Sequence, residues 1–217
     1  MTNKKIILIL SLFVAFILAF FVAAKIYKSH QLKKISFLAS ENAAIFLRDQ
    51  SVKLGPEKAE VYLVEFLDPE CESCRNFHPL LKSILSEFDG RVQLIVRYAA
   101  FHANSVFAIK ILEAARNQNK YWETLQILYD YQDYWGGHHD PKPELIWHYL
   151  PKIGLDIEKI RSDMNDVKIM SLIEQDQKDG QALGVNGTPT FFINGRPLEE
   201  FSYQYLREQI AQELAKN

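Results

Sequence analysis

Cysteine is scarce in this chain of 217 residues: there are two, Cys71 and Cys74. Disulfides that brace a fold usually close long loops and so restrict the unfolded chain. A pair separated by two residues does nothing of the kind, which excludes a disulfide-scaffolded domain and makes the pair chemical rather than structural. An excess of charge of either sign is also missing. Lys and Arg total 25 against 27 Asp and Glu, for a formal net charge of -2. No basic field gathers nucleic acid and no acidic tail points to disorder, so nucleic acid is not an expected partner. The sequence contains no internal repeat, no low-complexity tract, no phosphate-binding glycine loop and no Ser/His/Asp arrangement. Its length suits one domain with a full core and appendages, not two independent domains.

What is present begins with a long apolar run. Lys4 and Lys5 precede an uncharged stretch from Ile6 to Ala24, and Lys25, Lys28, Lys33 and Lys34 follow it. At the helical rise such a run reaches about 30 Å, the hydrocarbon thickness of a bilayer. It is expected to be an uncleaved membrane anchor within residues 1–30. The competing reading is a secretory signal cleaved near Val22-Ala23-Ala24, with export to the periplasm. A core helix is disfavoured because the run has no polar face. A plain count of flanking lysines would keep the following domain in the cytoplasm, but long domains translocate largely regardless of charge. The order of positive start, apolar run and folded domain is that of exported proteins. The expected location is the cytoplasmic membrane, single-pass, with the domain on the periplasmic or extracytoplasmic side.

Residues 31–50 read as a juxtamembrane linker, with an amphipathic helix over 36–50, and 51–217 as the globular domain. Val61 to Leu67 is β-branched and aromatic-rich, the pattern of a buried strand, and Asp68-Pro69 is a turn signal. After Cys71, the residues Phe77, Leu80, Leu81, Ile84, Leu85 and Phe88 recur at helical spacing, so the cysteines open a helix. Arg91 to Tyr98 reads as a second strand. From about 103 to 185 the patterns are helical, which predicts a helical lobe inserted into an α/β unit, with Trp122, Trp135 and Trp147 in its core. Asn194-Gly195 between Thr190-Phe191-Phe192-Ile193 and Arg196-Pro197-Leu198 is a strong hairpin signal. Ser202 is a candidate N-cap for a last helix, with Phe201 and Leu206 placed as a hydrophobic staple.

A cysteine at a helix start meets unsatisfied backbone N–H groups and the positive end of the macrodipole, both of which favour its thiolate. The thiolate is the reactive form. Cys71 is therefore expected to be an exposed nucleophile. Cys74, one turn deeper, is placed to attack a mixed disulfide on Cys71 and release the partner.

The stretch VEFLDPECESC at 64–74, Pro79 five residues past the second cysteine, FHANS at 101–105 and GVNGTPTFFING at 184–195 together resemble the DsbA-like branch of the thioredoxin superfamily, in its membrane-anchored or secreted forms. The likeness runs over roughly residues 50–217. It implies a thioredoxin fold with an inserted helical lobe and a thiol:disulfide oxidoreductase in which Cys71 and Cys74 alternate between dithiol and disulfide. It further implies that Pro189 is a cis-proline facing the cysteines, with the Thr188 backbone exposed to pair with an extended substrate. Glu65 occupies the position of a buried acid that exchanges a proton with Cys74. Pro79 is structural. No cofactor is implied; protein thiols and disulfides are the partners, together with a membrane redox partner for recycling.

One departure concerns the dipeptide between the cysteines, Glu72-Ser73, where strongly oxidising members carry Pro-His. Negative charge from Glu72, Asp68 and Glu70 is expected to disfavour ionisation of Cys71 and to make the couple less oxidising. Oxidative folding is the favoured direction; reductase or isomerase activity remains open, since direction depends on potential and recycling partner. A metal- or copper-binding protein using Cys71, Cys74 and His78 is the alternative from another class. Gly136-Gly137-His138-His139-Asp140 reads as a loop and N-cap.

Overall fold

No glycine or proline occurs before Gly55, so nothing in the first forty residues interrupts helix propagation. The structure, a computed structural model, describes residues 3–41, 45–137 and 140–216. Helix α1 runs unbroken over Asn3–Glu41, about 58 Å at the helical rise. Its stretch Ile9–Gln31 is long and apolar enough to cross a membrane, and Phe13, Phe16, Phe20 and Phe21 lie open on its surface. The helix expected over 36–50 is not a separate element. α1 carries through the lysines to Glu41, and from Ile45 the chain turns, with Ser51 N–H donating to the Arg48 carbonyl.

Five strands form one sheet: β1 (Val52–Leu54), β2 (Val61–Leu67), β3 (Val92–Tyr98), β4 (Thr190–Ile193) and β5 (Arg196–Pro197), in the order β1-β3-β2-β4-β5. β2 and β3 are parallel, joined by helix α2 (Glu72–Glu87) as a crossover; the other pairings are antiparallel. The short edge strand β1 was not expected from the sequence, since three residues give no periodicity to read. Asn194 and Gly195 take positive φ of 47° and 78°, the conformation a two-residue hairpin requires. The Asn194 side chain also accepts from the Tyr62 N–H at 2.9 Å, tying the turn to β2.

β2 and β3 are buried on both faces, and their alternating side chains supply two cores. Val61, Leu63 and Leu67 face a large cluster with Phe77, Leu81 and Ile84 of α2 and with Leu206, Ile210 and Leu214 of the last helix, α9 (Tyr203–Leu214). Val64, Phe66 and Ile95 face a smaller cluster with Ile45, Phe46, Leu183, Val185 and Phe192. Between β3 and β4 stands the helical lobe: α3 (Ser105–Arg116), α4 (Tyr121–Asp130), α5 (Gln132–Trp135), α6 (Ile146–Tyr149), α7 (Ile157–Asp163) and α8 (Val167–Ala182). Trp135 is fully buried in it and donates to the Leu128 carbonyl, whereas Trp122 and Trp147 are only partly buried.

Ser202 caps α9, accepting from the Tyr205 N–H. The Phe201 ring lies tilted against Phe77 at 4.9 Å and parallel to Phe191 at 6.4 Å between centroids, so it has aromatic neighbours.

On the smaller-core face Arg97 is fully buried. It donates to Asp176 at 2.7 Å, to Asp179 at 2.5 Å and to the Ile45 carbonyl at 2.6 Å, while Arg48 forks onto Asp179 with two bonds of 2.9 Å. A buried guanidinium is tolerable only when its donors are satisfied. This set closes β3, α8 and the segment after α1 into one unit.

Candidate active site

The strand-turn-helix step from β2 to α2 puts both cysteines at the edge of the larger core. Cys71 occupies the N-cap position in extended conformation (φ -78°, ψ 121°) and its carbonyl accepts from the Arg75 N–H. Cys74, Phe77, His78, Leu81 and Ile84 form the buried stripe of α2, at the spacing of one helix face. Glu72 and Ser73 point to solvent. Pro79 lies on the exposed face, where the carbonyl left without an N–H donor has water to meet it.

Both thiols are free, so the site is described in its reduced state. Cys74 is wholly inaccessible, as its depth predicts, but Cys71 keeps only 7% of its surface exposed. It is less open than the sequence suggested because the loop before β4 folds over it. Cys71 Sγ–H donates to the Thr188 carbonyl at 3.2 Å, and the Thr188–Pro189 peptide bond is cis. Pro189 is buried and Thr188 half-buried. Two of the segments that carried the family resemblance, 64–74 and 184–195, thus meet across one hydrogen bond.

Glu65 stands in the middle of β2, opposite Val96 on β3 and Phe191 on β4. It shares a strand face with Leu63 and Leu67, is 4% exposed, and is pushed up to about 8 by burial. Glu65 is therefore a buried residue of the strand, not a solvated one. Its charge is felt at Cys74, whose pKa burial and the neighbouring Cys71 and Glu65 push well above the ordinary thiol value. Tyr121 and Tyr129, both buried, are raised in the same way, mainly by burial.

Cys71 moves the other way, down to about 5. A hydrogen bond from the Cys74 thiol contributes most, and Thr188 and the N–H groups of Cys74 and Ser73 add to it against the cost of burial. Acidic neighbours had been expected to raise this thiol. The structure differs because Asp68 and Glu70 are fully engaged elsewhere. Asp68, fully buried, accepts from the N–H groups of Glu70 (2.9 Å), Phe101 (2.9 Å) and His102 (3.3 Å), from Ser105 Oγ–H (2.7 Å), and pairs with His102 Nδ1 at 2.8 Å. Glu70 accepts from the N–H and side-chain amide of Asn104 at 2.6 and 2.8 Å. The sequence reading gave Phe101, His102, Asn104 and Ser105 no role beyond a motif match, and gave Asp68 and Glu70, beyond a turn and a motif match, only a charge opposing the Cys71 thiolate. The nearest signal was the run FHANS, whose polar members all turn out to fasten the loop after β3 to the loop carrying Cys71.

The three-ligand metal reading is corrected. Among the described residues no three His, Cys, Asp or Glu side chains converge as a metal site. His78 is buried against the Tyr129 ring at 5.2 Å, with burial holding its pKa down to about 4 and with its Nε2 unpaired. His138 and His139 lie outside the described residues.

A family model described as Thioredoxin matches residues 48–212. Part of a Na(+)/H(+) antiporter NhaA from Herminiimonas arsenicoxydans is 31% identical over 144 residues, 66% of this chain. The chain spans about a fifth (22%) of that relative's length. Among solved structures, a thioredoxin-like oxidoreductase from Silicibacter pomeroyi DSS-3 is 26% identical with a TM-score of 0.69, covering 81% of this chain and 99% of the other. BdbD from Bacillus subtilis, in its oxidised form, is 24% identical with a TM-score of 0.67, covering 76% and 93%. The chain shares its fold with that thioredoxin-like oxidoreductase, and its two free thiols stand at the start of α2. The chain belongs to the thioredoxin family.

Proposed function

We propose that this oxidoreductase exchanges disulfides with extracytoplasmic protein substrates through the Cys71/Cys74 pair, in the direction of oxidative folding. The observation that carries the proposal is the asymmetry of the two thiols. Cys71 is held near pKa 5 at the mouth of the site, whereas Cys74 beneath it is raised well above the usual range. A thiolate favoured at Cys71 stabilises the dithiol form relative to the disulfide, and so makes the disulfide the better oxidant.

In the forward reaction a substrate thiolate attacks Sγ of Cys71 in the Cys71–Cys74 disulfide, and Cys74 leaves as a thiolate. Glu65, half protonated near pH 8, is the proton source beneath it. The substrate's second thiolate then attacks its own sulfur in the mixed disulfide. Cys71 departs as the stabilised thiolate and the substrate leaves oxidised, the two electrons remaining on the enzyme dithiol. The Thr188 carbonyl, on which the Cys71 thiol rests, would meanwhile pair with the substrate backbone in strand-addition fashion. A membrane redox partner would reoxidise the pair, and α1 would hold the domain at the bilayer.

The test uses the full chain in detergent. Oxidised protein should restore activity to a reduced, denatured disulfide enzyme stoichiometrically. Cys71→Ser should abolish this, and Cys74→Ser should accumulate substrate adducts on Cys71. Rapid insulin reduction with no oxidative refolding would reverse the assigned direction, and failure of both would overturn the proposal.

A further inference from the structure

The loop 101–105 is absent from the mechanism above, yet it is bonded to the active-site turn more densely than any other segment around the cysteines. Asp68 lies three residues before Cys71 and its carbonyl accepts the Cys71 N–H at 3.1 Å. Its carboxylate is fully buried. Such a charge, left alone beside the dithiol, would oppose the Cys71 thiolate and lower the potential of the couple. The side chain of His102 closes on it at 2.8 Å and keeps 29% of its surface in solvent. The backbone places the ring there: His102 N–H reaches both Asp68 and Ser105 Oγ, and Ser105 Oγ–H returns to Asp68.

We propose that His102 is a positioning residue for the redox couple: paired with Asp68, its imidazolium cancels the buried carboxylate next to Cys71 and thereby sustains the Cys71 thiolate. The inference rests on the assignment of Cys71 as the reacting thiol. The charge comes from the loop after β3 and not from the exposed Glu72-Ser73 dipeptide.

The charged groups around the imidazole are consistent with this. Burial lowers the pKa of His102, but Asp68, Cys71 and Glu70 together outweigh it and raise the value above that of free histidine. Asp68, the Cys71 thiolate and Glu70, whose carboxylate also accepts from Asn104, are the anions His102 answers. Coupling between two titrating sites is reciprocal. If the imidazolium favours the thiolate, the thiolate must favour the imidazolium, and converting Cys71 to a disulfide must lower the His102 pKa.

Two measurements on the full chain in detergent test this. In the first, the His102 imidazole is titrated by NMR in the dithiol and disulfide forms, its resonance identified by its loss in His102→Asn. The expected result is a higher pKa in the dithiol form, and equal values overturn the proposal. In the second, the Cys71 thiolate is followed by its ultraviolet absorbance across pH. His102→Asn retains an N–H donor for Asp68 but carries no charge. It should move the Cys71 inflection up by roughly one pH unit and shift the equilibrium with glutathione about tenfold toward the disulfide, ~30 mV for a two-electron couple. An unchanged inflection in a folded His102→Asn protein would assign the histidine a purely structural role. Both readouts concern the protein alone, so their failure is distinct from a failure to oxidise protein substrates.

Discussion

At the scale of the residue, two buried groups have opposite tendencies, Cys71 at the N-cap of α2 and Glu65 in β2, and pH separates them. The thiol of Cys71 falls from 9.0 to about 5 in the folded dithiol. A group lowered on folding contributes stability that is complete above its unfolded value and lost as pH falls through the folded one. The reduced protein should therefore gain on the oxidised protein by about 1.4 kcal/mol per pH unit from pH 5 to pH 9. Urea unfolding of both forms at several pH values measures the gap, and a constant gap would refute the low thiol pKa. Glu65 acts with the reverse sign. Its folded value of about 8 lies above the ordinary 4.5, so its contribution is complete below pH 4.5 and lost as pH rises through 8. Glu65→Gln should leave stability unchanged at pH 4 and raise it at pH 7 by on the order of 3 kcal/mol. The same substitution should slow disulfide exchange about tenfold by removing a general acid and base from Cys74. The carboxylate is thus kept at a cost in stability, as groups with a chemical task often are.

At the scale of the element, α8 is fastened to β3 by charge where most of the fold is fastened by apolar packing. Arg97 spends its donors on Asp176, Asp179 and the Ile45 carbonyl, and the second carboxylate oxygen of Asp176 accepts the Tyr98 N–H at 2.8 Å. Removing one partner strands the others without water. Arg97→Leu should cost about 3–5 kcal/mol in urea unfolding, and a loss below 1 kcal/mol would mean that the pocket rehydrates. Because α8 leads through Gly184 and Val185 into the Thr188–Pro189 loop, this clamp also bears on how firmly that loop rests over Cys71. Helix α2 works differently. Its apolar stripe holds the helix on the sheet, and its N-cap residue Cys71 stands where the helix's own N–H groups face the thiol.

At the scale of the whole molecule, α1 is the one described helix whose apolar surface lies in the open along its length, and the domain it precedes has its own closed cores. A single-pass arrangement with the domain outside the cytoplasm makes a definite prediction. A cysteine introduced at the exposed Val167 (Val167→Cys, 74% exposed) should react with a membrane-impermeant maleimide in right-side-out vesicles and not in sealed inside-out ones. The opposite labelling would restore the orientation given by the flanking lysines.

Much of this protein was legible in the order of its residues. Periodicity marks β2, β3, α2 and the helical lobe because burial imposes a repeat on each. Asn194-Gly195 marks the hairpin because few residues tolerate positive φ there, and the cysteine spacing marks the candidate redox pair because one helical turn separates them. The long apolar run announces α1 by length alone. Other features depend on groups distant in sequence. Neither β1 nor the continuity of α1 through its lysines leaves a periodic trace. The burial of Glu65 depends on which face of β2 the lobe covers. The low pKa of Cys71 could not be read from Glu72 and its acidic neighbours, since a carboxylate's effect on a thiol depends on its own partners. Those partners, His102, Ser105 and Asn104, lie some thirty residues along the chain. Sequence singled out the groups proposed to react; only the folded chain decided what charge they meet, because electrostatic energy follows distance and burial and not position along the chain.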